Sequence, residues 1–493
     1  LASTGISFTA VDNTITKVNE ISFEVDIDKG DILSQALAHY AMGILYDHND
    51  NIDEAIEEFK KALKLDPNAK AIHVRLGSDY LMIGKTEEAM NEFEKAERLD
   101  PEGADTKFLK ALTLTMMKDF DGAASEYNKI IEKDPSNLRA LSSLADLYVL
   151  QEKMKEAASI YEKLLETDEG KNPLIYFNLG VIYTRIEDLD KAEQYFKNAL
   201  ELGPDYIEAY IALAVLHESK QDYKNAILNY EEALKRNPMN RRLHQHLAAI
   251  YFEAGNVEES INTYEFAINL DAKDPDSYID LAYVYVKEEK LEKALDVLER
   301  ALTADVRDRE KVHLAIGYIF SIDKQYEKSI NQYKKVIENN QKSKRAHFLL
   351  GAAYEKAGMW NEAISEFKTV LELEPDNAET CNYLGYMYAE KGINLDEALS
   401  LIKKALEFDP ENGAYVDSLG WVYFKKGMLN EALAQLEKAV ELNGEDAIIR
   451  DHLGDIYYRK GMKDKAVLEW RKSLELDNAQ EEVKKKLKKA EKE

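Results

Sequence analysis

The chain has 493 residues with 65 lysines and arginines against 93 aspartates and glutamates, which gives a net charge of -28. This acidity argues against a nucleic-acid binder, because phosphate binding needs a basic surface. A hydrophobic content of 45% with only nine prolines excludes a disordered chain. The sequence also lacks an apolar run of about 18 residues, so no transmembrane helix is expected.

The N-terminal segment, residues 1–35, has two conflicting patterns. Ile21, Phe23 and Val25 alternate as in a strand, whereas Val11 and Ile15 are spaced as in a helix. We therefore treat this segment as an N-terminal arm without an assigned secondary structure.

Beyond the arm, tyrosines recur at a spacing that is always 34 residues, 35 residues or the sum of two such steps. They are Tyr46, Tyr80, Tyr148, Tyr183, Tyr251, Tyr285, Tyr354, Tyr388, Tyr423 and Tyr457. A small residue follows each tyrosine slot nine or ten positions later. A period of this length is typical of stacked helix-turn-helix units, which place function on an extended surface.

Residues 36–69 show the pattern of one unit. Gly43 and Tyr46 share one face of a first predicted helix, and Ala55 and Phe59 share one face of a second. The small residues let the two helices approach, and the larger ones fill the groove between them. Pro67 ends the second helix because it has no backbone N–H to donate.

This pattern of Leu-Gly, Tyr, Ala, Phe, Ala and Pro resembles the tetratricopeptide repeat family from residue 36 to residue 480. The resemblance implies an all-α fold, a right-handed superhelical solenoid of about thirteen helix-turn-helix units, with a C-terminal capping helix at 481–493. The predicted units start at residues 36, 70, 104, 138, 173, 207, 241, 275, 310, 344, 378, 413 and 447.

No set of residues predicts an enzyme, a cofactor site or a metal site. Asp451, His452 and Asp455 form a polar cluster, but no nucleophile accompanies them. Cys381 is the sole cysteine, which excludes an internal disulfide and a cysteine zinc cluster. A buried small residue is the simpler interpretation of Cys381.

The resemblance instead implies a groove, since first helices line the concave surface in this family. We predict that an aromatic strip there binds protein or peptide partners, and that three aspartates favour a partner with a basic flank. The predicted partner-binding residues are Tyr283, Tyr318, Phe348, Tyr386, Asp417, Trp421, Phe424, Asp451, Asp455 and Tyr458.

The last three units contain Asn-Tyr-Leu-Gly-Tyr at 382–386, Asp-Ser-Leu-Gly-Trp at 417–421 and Asp-His-Leu-Gly-Asp at 451–455. These strings are similar to bacterial outer-membrane lipoprotein adaptors that bring substrates to a carboxyl-terminal processing protease. The resemblance implies a periplasmic or outer-membrane-associated adaptor, although no cysteine for acylation lies near Leu1. The alternatives are a cytoplasmic assembly scaffold and the regulatory subunit of an enzyme complex.

Overall fold

A computed structural model describes residues 32–167 and 171–492. All regular secondary structure within these ranges is α-helical. The strand-like and helix-like patterns of the N-terminal arm lie outside the described residues. Of the arm, only residues 32–35 are described, and they form the start of the first helix.

In the part of the chain that the structure describes, thirteen helices are the first helices of successive repeats. They are α1 (Ile32–His48), α3 (Lys70–Met82), α5 (Ala104–Met116), α7 (Leu138–Leu150), α9 (Pro173–Arg185), α11 (Ile207–Ser219), α13 (Arg241–Glu253), α15 (Pro275–Lys287), α17 (Arg309–Ile322), α19 (Lys344–Lys356), α21 (Ala378–Lys391), α23 (Gly413–Lys425) and α25 (Ala447–Arg459). Eleven of the thirteen start residues named above are the first residue of a helix. The extent of the repeat region as one domain, 36–480, stays a prediction.

The second helices alternate with them along the chain. They are α2 (Ile52–Leu65), α4 (Thr86–Leu99), α6 (Phe120–Lys133), α8 (Met154–Leu165), α10 (Leu189–Leu202), α12 (Tyr223–Arg236), α14 (Val257–Leu270), α16 (Leu291–Thr303), α18 (Tyr326–Asn339), α20 (Trp360–Leu373), α22 (Leu395–Phe408), α24 (Leu429–Leu442) and α26 (Lys463–Leu476). A final helix, α27 (Glu481–Lys492), packs against α26.

Side-chain caps and prolines fix where several first helices begin. Pro173 and Pro275 occupy the first turn of α9 and α15, where a missing N–H costs nothing. The residue before each proline caps the same helix: Asn172 accepts from the Ile175 amide at 3.1 Å, and Asp274 accepts from the Ser277 amide at 3.1 Å.

The turn between the two helices of a repeat contains a residue in the left-handed region. Glycine occupies this place at Gly358, with φ of 77°, and needs no compensation there. Lysine occupies the equivalent place in the preceding repeat at Lys324, with φ of 59°. The turn geometry is thus set by the repeat and not by glycine alone.

The core between paired helices consists of a small residue against a ring. Ala363 and Phe367 on α20 are fully buried, and Phe367 packs against α19 at Gly351. A Cβ added at Gly351 would lie 2.9 Å from the ring of Phe367, too close for the pair to keep its spacing. The small residues identified in the sequence therefore set the helix approach, as predicted.

The chain divides into two compact units, Leu1–Asn256 and Val257–Glu493. In each unit the helices pack mainly on their neighbours along the chain, so a second helix contacts the first helix of its own repeat and that of the next. No helix in the described ranges is both long and apolar enough to cross a membrane.

Candidate functional site

The predicted partner-binding residues all lie in the second unit, but the structure gives them different surroundings. Tyr283 on α15 and Tyr318 on α17 occupy the same repeat position on neighbouring first helices that pack together. Their exposed fractions are 51% and 53%, although each is a large aromatic side chain. We call this pair the tyrosine face. It is the part of the predicted strip that is most open to a partner.

Two other predicted residues lie at the edge of the core. The half-buried ring of Phe348 packs edge-on against Phe367 at a centroid distance of 5.5 Å and against Tyr383 at 5.7 Å. Tyr458 is half-buried, with its ring 5.5 Å from that of Trp470. Both side chains contribute part of their surface to holding repeats together.

Trp421 is the centre of a buried group of side chains. Its exposed fraction is 6%, and its ring stacks on the His452 imidazole at a centroid distance of 4.0 Å. Phe424, half-buried one turn later on α23, stacks on the same indole at 5.0 Å. The indole Nε1 donates to Glu390 of α21 at 2.8 Å. Trp421 therefore joins three consecutive first helices.

His452 brings a charge into this group. Its Nδ1 lies 2.9 and 3.0 Å from the two carboxylate oxygens of Asp417, and both residues are buried. Burial alone would lower the pKa of His452, but the charge and hydrogen bond of Asp417 outweigh it and raise that pKa above its ordinary value. We name Tyr386, Asp417, Trp421, Phe424 and His452 the Trp421–His452 cluster.

Tyr386 completes the cluster. Its ring lies 6.2 Å from the imidazole of His452, and burial, followed by the charge of Glu390, raises the pKa of its hydroxyl. The side chain is half-buried, unlike the more open tyrosines at the same repeat position in α15 and α17.

The remaining two aspartates have a partner from the final helix. The Lys486 ammonium of α27 lies 2.8 Å from Asp451 and 2.8 Å from Asp455. Asp455 also accepts a hydrogen bond from Trp470 Nε1 at 3.2 Å. Burial and the neighbouring Asp451 raise the pKa of Asp455, while Lys486 lowers it, and the net shift is upward.

The expectation of an open acidic end is therefore corrected. Asp417 is paired with His452, and Asp451 and Asp455 share the single ammonium of Lys486, so these carboxylates make contacts within the chain. Sequence reasoning missed the roles of His452, Glu390 and Lys486. The available signal was the spacing, since His452 lies 35 residues after Asp417 and Lys486 lies 35 residues after Asp451, one repeat apart in each case.

Models of protein families match most of the repeat region in separate stretches. Tetratricopeptide repeat models match residues 36–69, 71–102 and 344–377, and a further repeat model of this family matches 420–461. Residues 104–347 match the model of the C-terminal domain of cilia and flagella-associated protein 70. Tetratricopeptide repeats are thus confirmed. None of these matches supports the resemblance to a protease adaptor.

Several solved structures of helical proteins are similar at low sequence identity. The anaphase-promoting complex hetero-tetramer Cut9–Hcn1 has 16% identity, covers 93% of this chain and 97% of its own, and gives a TM-score of 0.42. Yeast Tom70 has 17% identity, with 92% and 95% coverage and a TM-score of 0.39. The Naa15/Naa10 structure bound to HypK has 16% identity, with 90% and 68% coverage and a TM-score of 0.41. No curated protein matches the chain significantly.

Proposed function

We propose that this chain of tetratricopeptide repeats is a non-enzymatic scaffold that binds protein or peptide partners, with the tyrosine face of α15 and α17 as its contact site. One observation carries the proposal: two large aromatic side chains at equivalent positions of adjacent helices remain about half exposed. Exposed aromatic surface of this kind is enriched at protein interfaces, where it supplies contact area at a low entropy cost.

The chemistry of the tyrosine face suits a segment with apolar anchors. The Lys287 ammonium lies 5.3 Å from the centre of the Tyr283 ring, so a cation borders the aromatic surface. A tyrosine combines an apolar ring with a hydroxyl that can exchange water for a partner's hydrogen bond. An amphipathic helix or an extended segment would place its apolar side chains on the rings and its polar groups at their rim.

The test is affinity capture of partners from extracts of the source cell, comparing the intact chain with Tyr283→Ala/Tyr318→Ala. The matched control is Leu468→Ala, which removes an apolar side chain of similar exposure, 51%, from the second helix α26. Partners should be captured by the intact chain and the control, and lost or strongly reduced with the tyrosine variant. Equal capture by all three chains at unchanged helicity would remove the tyrosine face from the proposal.

A more specific proposal is an adaptor in the bacterial envelope, in the periplasm or at the outer membrane, that delivers substrates to a carboxyl-terminal processing protease. It is supported by the strings at 382–386, 417–421 and 451–455 alone. Three residues of those strings, Asp417, Trp421 and His452, have structural contacts that account for their presence. The direct test adds the purified chain to such a protease and a cell-wall hydrolase. Faster cleavage of the hydrolase supports delivery, and an unchanged rate contradicts it.

The same capture experiment distinguishes three other assemblies in which the chain would act as a scaffold or subunit. The match over residues 104–347 supports a scaffold in a ciliary or flagellar assembly. A cytoplasmic assembly scaffold and a regulatory subunit of an enzyme complex differ in what is recovered: structural proteins in the first case, and in the second an enzyme whose activity changes when the chain is added.

A further inference from the structure

A basic cleft lies in the first unit, between α2, α3 and α4. Its volume is about 690 Å³, within the range of sites that hold a ligand or a few side chains of a partner. Helix α3 packs against both α2 and α4, and it contributes His73 and Leu76 to the lining between them.

The cleft is positive in a strongly negative protein. Five basic side chains line it, Lys60, Lys61 and Lys64 from α2 and Lys95 and Arg98 from α4. Three carboxylates accompany them: Glu57 and Glu92 in the lining, and Glu58, which pairs with Lys61 at 2.7 Å. Five positive charges against three negative ones leave two in excess. The whole chain carries -28. A local reversal of this size attracts anionic groups to one place on the surface.

Both lining carboxylates already have partners within the chain. Lys60 donates to Glu57 at 2.9 Å, and Lys95 donates to Glu92 at 2.7 Å. His73 holds the other oxygen of Glu92 at 2.6 Å, which fixes this buried carboxylate in the wall. Lys64 and Arg98, by contrast, make no ion pair with any residue in the described ranges. Both are exposed cations in the lining of the cleft.

The charge of Lys64 and Arg98 differs from the charge at the same place in most other repeats. Lys64 and Arg98 are each the residue before the last of their helix. The same place is a glutamate in seven later second helices: Glu132, Glu201, Glu338, Glu372, Glu407, Glu441 and Glu475. The helix dipole favours a cation at this end in every repeat, so it does not explain the difference. A basic residue at this place in two successive second helices occurs only in α2 and α4. The other basic residue at this place, Lys235 of α12, is paired with Glu232 at 2.6 Å.

From the charge, the lining and the repeat comparison, we infer that the cleft binds an acidic segment of a partner protein, in which carboxylates flank an apolar side chain. Leu63, Leu76 and Leu99 supply apolar surface in the lining, and Leu99 is 40% exposed. This surface suits a hydrophobic side chain between the acidic ones. The basic side chains lie on two helices, so they can pair with carboxylates that are spaced along a peptide segment.

A compact phosphate is the less suitable anion. Phosphate sites commonly use backbone N–H groups at a helix N-terminus, whereas α2 and α4 reach this cleft mainly with their C-terminal halves. Flexible lysine side chains provide charge without the fixed geometry that selects a phosphate. The cleft is a second interaction surface, independent of the tyrosine face.

The experiment measures fluorescence anisotropy of a labelled peptide of glutamates flanking one leucine, against the full chain and against Lys64→Glu/Arg98→Glu. The variant installs the residue that seven other repeats carry at this place, so folding should be preserved, and circular dichroism checks this. The matched control is Lys224→Glu/Lys235→Glu on α12, which makes the same charge change at exposed lysines of another second helix. A peptide with glutamine for glutamate tests the role of charge.

Binding of the acidic peptide should fall with rising salt and weaken roughly tenfold in the cleft variant, while the α12 control stays near the intact chain. The glutamine peptide should bind no chain measurably. Equal weakening in the cleft variant and the α12 control would show a general charge effect and overturn the site. Displacement of the peptide by inorganic phosphate, beyond the effect of chloride at equal ionic strength, would assign the cleft to phosphate instead.

Discussion

The aromatic residues of the tyrosine face and Trp421 of the Trp421–His452 cluster occupy the same repeat position on first helices of one unit, yet the tyrosine face is open and the cluster is closed. Tyr283 and Tyr318 remain about half exposed, whereas Trp421 is 6% exposed under the His452 ring. The difference comes from the neighbouring repeat. Next to Trp421 the chain supplies a histidine, its counter-charge Asp417 and the acceptor Glu390. The position of a residue in the repeat thus fixes the helix face on which its side chain lies, and the neighbouring repeats determine how much of that side chain is exposed.

An aromatic residue at this repeat position can either bind a partner or pack between repeats, and the sequence pattern alone does not distinguish the two roles. An aromatic residue at this position serves partner binding only if the adjacent repeats leave its ring uncovered. Where the adjacent repeats cover the ring with a charged pair, the aromatic residue holds two repeats together. A substitution of that residue then changes the stability of the fold, and a binding experiment with the variant reports this loss of stability.

The largest expected effect is that of Trp421→Ala. Removing a buried indole that stacks on two rings and donates to Glu390 should cost about 3–5 kcal/mol. Tyr283→Ala and Tyr318→Ala, at exposed sites, should each change the unfolding free energy by no more than about 0.5 kcal/mol. Chemical denaturation followed by circular dichroism measures all three. Similar losses for Trp421 and the tyrosines would erase the distinction between the two regions.

The next largest effect concerns the buried charge pair. Asp417→Asn leaves the His452 imidazole without its counter-charge and should cost about 2 kcal/mol at pH 6. Because the folded pKa of His452 lies above its ordinary value of 6.5, the stabilisation by Asp417 is fully present below 6.5 and is lost as the pH rises through the folded pKa. Stability of the intact chain should therefore fall above pH 6.5 relative to the variant.

Hydrogen exchange of the α23 and α25 amides is the appropriate measurement, since repeats open locally. The groups that face His452 are Asp417 and Trp421 of α23, Tyr386 of α21, and Asp451 and Asp455 of its own helix. Parallel pH profiles for the intact chain and Asp417→Asn would mean that this pair does not carry a proton-linked stabilisation.

The fold was predictable from the sequence to a greater degree than the site. The repeat length and the small residues such as Gly351 and Ala363 can be read from the sequence, because each repeat forms its own helix pair from about 34 residues. The site depends on contacts between repeats: His452 meets Asp417, and Lys486 meets Asp451, each 35 residues away. The sequence showed these residues, but it did not show that their charges pair internally and close the predicted acidic end.

A smaller effect is expected at the final helix. Lys486→Met keeps the aliphatic length of the side chain but removes the ammonium that lies 2.8 Å from Asp451 and Asp455. We expect a loss of about 1 kcal/mol in the docking of α27, read from faster amide exchange in that helix. Adding Asp455→Asn should restore part of the loss, because it removes one of the two unpaired carboxylates. A further loss in the double variant would contradict the assigned charge balance.

The smallest effect tests the backbone strain at the left-handed turn position that successive repeats share. Lys324 and Gly358 hold equivalent left-handed positions in successive repeats, with φ of 59° and 77°. Lys324→Gly should stabilise the unit by about 0.5–1 kcal/mol, since a side chain in this region is strained, and Gly358→Ala should destabilise it by about 1 kcal/mol. No atom outside the turn lies within 4 Å of a Cβ built at Gly358, so its cost arises from the backbone alone. Paired thermal melts measure both, and shifts of the same sign would contradict the strain assigned to a side chain at this position.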